Sequence, residues 1–169
     1  MATSGIFTEN AQVELIQGEI IDMAPIGSKH AGIVSFLARS LMLQLGESAI
    51  VRVQDPIHLG DFSAPQPDLA IVKPRDDFYR EQHPTAEDVL LLIEVSDSTS
   101  NYDLKSKIPL YAKYGIAESW LIDLNDNRTI QFYQPREGRY ALQNSFRADD
   151  LIIPIQLSHL RVRLAALLN

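Results

Sequence analysis

The run Val89-Leu90-Leu91-Leu92-Ile93-Glu94-Val95 constrains this chain more than any other segment. An unbroken apolar strand has to be covered on both faces, as in the middle of a sheet flanked by helices. Side chains alternate across a strand, so Leu90, Leu92, Glu94 and Ser96 are expected on one face and Leu91, Ile93 and Val95 on the other. An acid near the end of such a strand is costly unless something pairs with it. A second segment, Pro67-Asp68-Leu69-Ala70-Ile71-Val72, opens an apolar strand on an acid, after a proline that has no N–H to donate.

The remaining elements can be placed around these two strands. Residues 13–23 alternate apolar and polar positions about Gln17-Gly18 and read as a β-hairpin. Ser28 has the chemistry of a helix N-cap, and Ile33, Leu37, Leu41 and Leu45, with Val34, Phe36 and Leu43 nearby, form a helical stripe ending at Gly46. Residues 49–53 and 56–59 are short strand candidates, and 73–87 is a charged loop with one helical turn. Ser98, Thr99 and Ser100 are capping candidates for a helix reaching Tyr114, with Gly115 in the left-handed cap position and Ile116 behind it. Pro109 removes the bond to the Lys105 carbonyl, so this helix is expected either to kink near Lys105 or to start close to Pro109. Residues 120–124, 129–134 and 139–143 read as a β-meander, followed by a strand at 151–153 and a final helix at 164–168. The expectation is an α/β (α+β) fold in one domain spanning 1–169.

Composition excludes several chemistries. No cysteine occurs in the 169 residues, which rules out disulfides, cysteine-bound zinc, iron–sulfur clusters and thiol catalysis. No uncharged apolar run approaches the roughly 18 residues of a membrane helix. The stretch carrying Glu9, Glu14 and Glu19 has no basic start followed by an apolar block, so a cytoplasmic protein without a signal peptide is expected. A net charge of −7 argues against a sequence-blind DNA coat, whose affinity would come from phosphate contacts. It leaves room for an acidic site that gains positive charge from a bound ion.

Asp68 and Glu94 on neighbouring strands would offer two hard oxygen ligands. That set suits Mg²⁺, which keeps several waters, with Mn²⁺ as a substitute and the Val95 carbonyl as a further ligand. Such an ion polarises a phosphate and acidifies its bound water. Asp103, Lys107 and Tyr111 fall at i, i+4 and i+8 of the following helix, whereas Lys105 is turned away by roughly 160–200°. Lys107 is therefore the preferred cation, and the pattern is that of a metal-dependent phosphodiesterase. Against it stand simpler readings: Pro-Asp as a turn, Asp103 and Lys107 as an exposed ion pair, and Trp120, Tyr111 and Tyr114 as core residues.

At these residues the chain resembles the Uma-two family of restriction-endonuclease-like proteins within the PD-(D/E)XK nuclease superfamily. The likeness runs from Val13-Glu14-Leu15-Ile16-Gln17-Gly18-Glu19-Ile20 to about Gln134. It takes in Ser63-Ala64-Pro65-Gln66-Pro67-Asp68, Ile93-Glu94-Val95-Ser96-Asp97-Ser98-Thr99, Tyr102-Asp103, Lys107, Tyr111 and Gly115-Ile116-Ala117-Glu118-Ser119-Trp120-Leu121-Ile122-Asp123. It implies a central mixed sheet flanked by helices, Asp68 and Glu94 as metal-binding acids, and a DNA substrate. The superfamily usually has its lysine two residues after the second acid. Here that position is Ser96, and the family pattern carries the lysine in the next helix, at Lys107. Glu14 and His30 also match family positions as accessory residues, beside Asp103. The resemblance further implies a homodimer. Two other readings compete: a non-catalytic interaction module that retains the fold, and a glycosidase using two carboxylates.

Overall fold

The computed structural model describes residues 13–23, 25–97 and 102–168. The capping candidates Ser98, Thr99 and Ser100 lie outside the described residues. The hairpin forms as expected, from β1 (Val13–Ile16) and β2 (Glu19–Asp22). Gln17 and Gly18 both take positive φ, the conformation of a two-residue turn whose twist matches its strands. The hairpin is pinned to the loop ahead of Asp68, with Ala64 N–H donating to the Leu15 carbonyl at 2.8 Å and Gly18 N–H to the Phe62 carbonyl at 2.7 Å.

Helix α1 (Ser28–Leu45) follows. Gly27, rather than Ser28, occupies the N-cap position, and no side chain caps the first turn. The helix stops at Gly46, whose φ of 53° takes it out of the helical region. Six strands then build one mixed sheet: β3 (Ile50–Val53), β4 (Leu69–Val72), β5 (Val89–Ser96), β6 (Glu118–Asp123), β7 (Arg128–Arg136) and β8 (Arg139–Phe146). They lie side by side in chain order; only β5 and β6 run parallel. The expected meander is β6–β8. Residues 56–59 do not form a strand. Their N–H groups turn alternately to Pro65, Pro84 and Ser63, so no single strand lies beside them, and only His58 bridges to Thr85.

Between β5 and β6 the chain makes a wide π-helical turn (Asp103–Lys107) that passes into α2 (Ile108–Lys113). Of the two outcomes expected at Pro109, the second holds: α2 starts at Ile108, where an early proline is tolerated. The α2 C-terminus closes with Gly115 at φ 77°. Gly115 N–H donates to the Ala112 carbonyl and Ile116 N–H to the Tyr111 carbonyl, the paired bonds of a Schellman cap. The tail adds a small ribbon, β9 (Leu151–Ile152) with β10 (Val162–Arg163), and a last turn α3 (Ala165–Leu168). β10 is too short for a sequence signal.

Both sheet faces are covered. On one, Leu37, Leu41 and Leu45 of α1 pack on Leu69, Ile71, Leu91, Ile93, Val95, Trp120 and Ile122, with the tail closing the edge. On the other, Ile108, Leu110 and Tyr111 pack on Ala70, Val72, Leu92 and Leu121. The expected alternation in β5 holds from Leu91 onward. Leu90 departs from it because Ile71 pairs with Leu91 while Val72 pairs with Val89, leaving Leu90 as the extra residue of a bulge. Leu90 consequently joins the α1 face, and Val89 joins Leu92. Among the described residues no helix is long and apolar enough to cross a membrane.

Glu118 anchors the tail. It is fully buried and accepts from Trp120 Nε1 at 2.6 Å, Gln131 Nε2 at 2.6 Å and Ile155 N–H at 2.7 Å. Burial pushes its carboxyl pKa up, against these three donors. Glu118→Ala would strand all three donors, so urea unfolding should show a loss of about 3 kcal/mol. Amide exchange should speed up first around Ile155.

Candidate active site

The site forms at one end of the sheet, where β4 begins and β5 ends. Leu69 pairs with Ile93, so Asp68 and Glu94 come side by side on adjacent antiparallel strands. Asp68 stands just before β4 and its carboxylate replaces a ladder partner: Val95 N–H donates to Oδ2 at 2.8 Å. The N–H and C=O of a strand residue point to the same neighbour. The Val95 carbonyl therefore also faces the start of β4, where Pro67 has no N–H to offer it. His30, near the start of α1, donates from Nε2 to Asp68 Oδ1 at 2.8 Å, and Gln54 Nε2 donates to the same oxygen at 3.2 Å. The hydrogen bond to Asp68 raises the His30 imidazole pKa against the effect of burial, and the charges of Asp68, Asp103 and Asp97 add to it.

Glu94 is 2 % exposed and points, like Leu92, toward the α2 side of the sheet. The Tyr111 hydroxyl donates to its Oε1, and Lys107 Nζ donates to its Oε2 at 3.4 Å. Lys107 also lies 3.2 Å from Glu14 Oε2 of the hairpin and 3.4 Å from the Gln66 carbonyl. Gln66 in turn gives its backbone N–H to Glu14 Oε2 at 3.2 Å. Lys107 is thus buried among partners rather than being half of an exposed helical pair. Asp103, also buried, lines the same cleft from the π turn.

Four buried acids, Glu14, Asp68, Glu94 and Asp103, gather at this end of the sheet; Lys107 pairs with Glu14 and Glu94, and His30 with Asp68. Burial pushes the Glu94 carboxyl up to about 8; Lys107 pulls it down, while Asp68 and Asp103 push it further up. Burial would lower the Lys107 pKa, but Glu94 and then Glu14, Asp103 and Asp68 outweigh it and keep the ammonium above its ordinary value. Lys107 is therefore a cation and hydrogen-bond donor at neutral pH, not a base.

These groups open on a cleft of about 490 Å³. Asp22, Ile21, Met23 and Ile26 wall it on the hairpin side, Gly27 and His30 at the start of α1, and Asp97, Tyr102 and Asp103 on the far side. The Tyr102 hydroxyl is buried there without a hydrogen-bond partner among the described residues. Among the described residues no three His, Asp or Glu side chains form a metal-binding group by themselves. The donors at hand are two carboxylates and a strand carbonyl, a hard oxygen set for an ion that keeps several waters. The gathered carboxylates and the Tyr102 hydroxyl, buried without a hydrogen-bond partner among the described residues, both fit a hydrated divalent cation.

The expected residues Asp68, Glu94, Val95 and Lys107 thus lie together, with Glu14, His30 and Asp103 around them. Sequence reasoning assigned Tyr111 to the core alone. It is in the core, yet its hydroxyl holds Glu94, and its place on the Asp103–Lys107 face was the available signal. Gln54 and Gln66 carried no signal, because they act from irregular backbone.

A family model described as "Putative restriction endonuclease", Uma2, matches residues 3–165. The chain belongs to the Uma2 family. Among solved structures, a protein from Anabaena variabilis ATCC 29413 described as a "putative nuclease belonging to DUF820" is similar. The two are 20 % identical with a TM-score of 0.73, and the match covers 92 % of this chain and 89 % of that one. At that identity the likeness shows the fold, a nuclease-like mixed α+β architecture. No curated protein matches the chain.

The charge balance of this Uma2 cleft predicts unequal responses to two substitutions. Lys107→Met leaves Glu14 buried without its cation and should cost about 3–5 kcal/mol. Glu94→Gln mimics the neutral acid that burial favours, and should cost less than about 1 kcal/mol or stabilise the fold. Urea unfolding in chelator-treated buffer measures both.

Proposed function

We propose that this chain is a divalent-cation-dependent endonuclease that hydrolyses phosphodiester bonds in DNA. The observation that carries the reading is the convergence of Asp68, Glu94 and Lys107 on one cleft, with Lys107 Nζ 3.4 Å from Glu94. Asp68, Glu94 and the Val95 carbonyl would hold Mg²⁺, or Mn²⁺ in its place. The bound ion supplies charge to the scissile phosphate and acidifies a water for attack.

The chain's own residues prepare this arrangement. The Val95 N–H, His30 and Gln54 hold the Asp68 carboxylate in one orientation. Tyr111 and Lys107 do the same for Glu94 from the other side of the sheet. Side chains that carry ligands keep their geometry through such supporting contacts. The Lys107 ammonium, held protonated, is placed to donate to a phosphate oxygen or to orient water as charge develops. It does from the π turn what the superfamily's lysine does from the position of Ser96. The α1 N-terminus, uncapped by side chains and without acids in its first turn, borders the cleft and adds a favourable dipole for an anion.

The test is cleavage of supercoiled plasmid and single-stranded DNA with Mg²⁺ or Mn²⁺, followed on gels. Wild type should nick DNA in either ion and be silent in chelator. Asp68→Ala should lose at least about 100-fold in rate, and Lys107→Arg, which keeps the charge but not its placement, about 10-fold or more. A folded wild type that binds Mn²⁺ and cleaves neither DNA nor RNA would overturn the reading in favour of a non-catalytic module on the same fold.

A further inference from the structure

The cleft at Asp68 and Glu94 joins two kinds of surface. Its floor carries carboxylates and an ammonium, whereas its hairpin wall carries Ile21, Met23, Pro25 and Ile26. Ile21 and Met23 are two positions apart, on one face of β2 and its extension. Ile21 packs in part on the α2-side core, but Met23 and Ile26 belong to neither core cluster. Ile26 is 42 % exposed, and Pro25 is exposed beside it. An apolar wall over a few polar groups is how pockets for small ligands are built. A volume of about 490 Å³ falls within the roughly 300–1,000 Å³ of such pockets.

The charges limit what can enter. Lys107 is the only lysine or arginine among the described lining residues, and Glu14 and Glu94 already hold it. Asp22 on the hairpin wall and Asp97 on the far wall meet anything that extends beyond the floor. Binding a duplex by its backbone takes several phosphate contacts, and these two walls repel the flanking phosphates. A paired strand also has nothing apolar to give the hairpin wall, since its bases are stacked inside the helix. An unpaired nucleotide does: its base presents a flat apolar face one sugar away from the phosphate.

We propose that the cleft takes one unpaired nucleotide of a DNA strand, its phosphate at Asp68, Glu94 and Lys107 and its base against Met23, Pro25 and Ile26. The inference rests on the nuclease reading and names its substrate class. That class is single-stranded DNA, together with mismatches, bulges and frayed ends, where a base leaves the stack readily. Apolar side chains hold a base by its face without reading its edge, so the preference is for an unpaired base rather than for one sequence.

The test uses the full chain, Mn²⁺ and one end-labelled strand in three states: free, in a perfect duplex, and in a duplex with a central mismatched stretch. Cleavage is followed on denaturing gels. Wild type should cut the free strand and the mismatched stretch at least about 30-fold faster than the perfect duplex. Ile26→Ser, at an exposed position, should keep its melting temperature and lower kcat/KM on the free strand by about 5-fold or more. Abasic sites placed where wild type cuts should slow it by a similar factor. The two losses should not multiply, because both remove the same contact. A perfect duplex cut as fast as the free strand overturns the proposal and leaves the nuclease reading standing. So does a free-strand rate that Ile26→Ser leaves unchanged, or losses that multiply, since the base then lies elsewhere. A folded, Mn²⁺-binding wild type that cuts none of the three overturns both together.

Discussion

Everything around the cleft is arranged to keep one buried ammonium in place. Lys107 reaches Glu14 in the hairpin, Glu94 in the sheet and the Gln66 carbonyl in the connecting loop, so three separate parts of the chain meet on a single charge. Away from water such contacts are strong only when every partner is present, because desolvation has removed the alternative. This explains why the hairpin, which has only two strands and little core of its own, sits where it does. It also explains the wide turn at Asp103–Lys107: Pro109 forbids an ordinary helix through this region, and the relaxed turn delivers Lys107 to the acids.

Much of this was legible in the residues. The apolar runs placed β4 and β5 and set Asp68 and Glu94 at their ends; Gly115 and Ile116 announced the end of α2. The parts that were not legible have physical reasons. Leu90 looked like a member of the Glu94 face, since a bulge depends on how two distant strands pair and leaves no mark in either one alone. Residues 56–59 resembled a strand by composition, but their backbone is consumed by three different loop partners. The i, i+4 spacing of Asp103 and Lys107 suggested an exposed pair because nothing in the local sequence tells that Glu14, some ninety positions earlier, folds over them. Uma2 membership settles the family and the fold; the placement of each functional side chain comes from the register of β4 against β5.

The two helices flanking the sheet have different relations to the cleft. α2 faces inward and contributes Tyr111 directly. α1 contributes His30 near its start and then leaves the site, exposing its other face along the rest of its length.

The bulge at Leu90 has an evolutionary corollary. It absorbs one residue between Val89 and Leu91, so the phase of β5 is reset at that point. Chain length can drift upstream of the bulge, in the loop before Val89, with little effect on the acids. Between Leu91 and Glu94 there is no such slack: one inserted or deleted residue would rotate the carboxylate into the apolar layer beneath α1. Relatives that keep the site should therefore tolerate gaps before position 90 and none in the four residues that follow it.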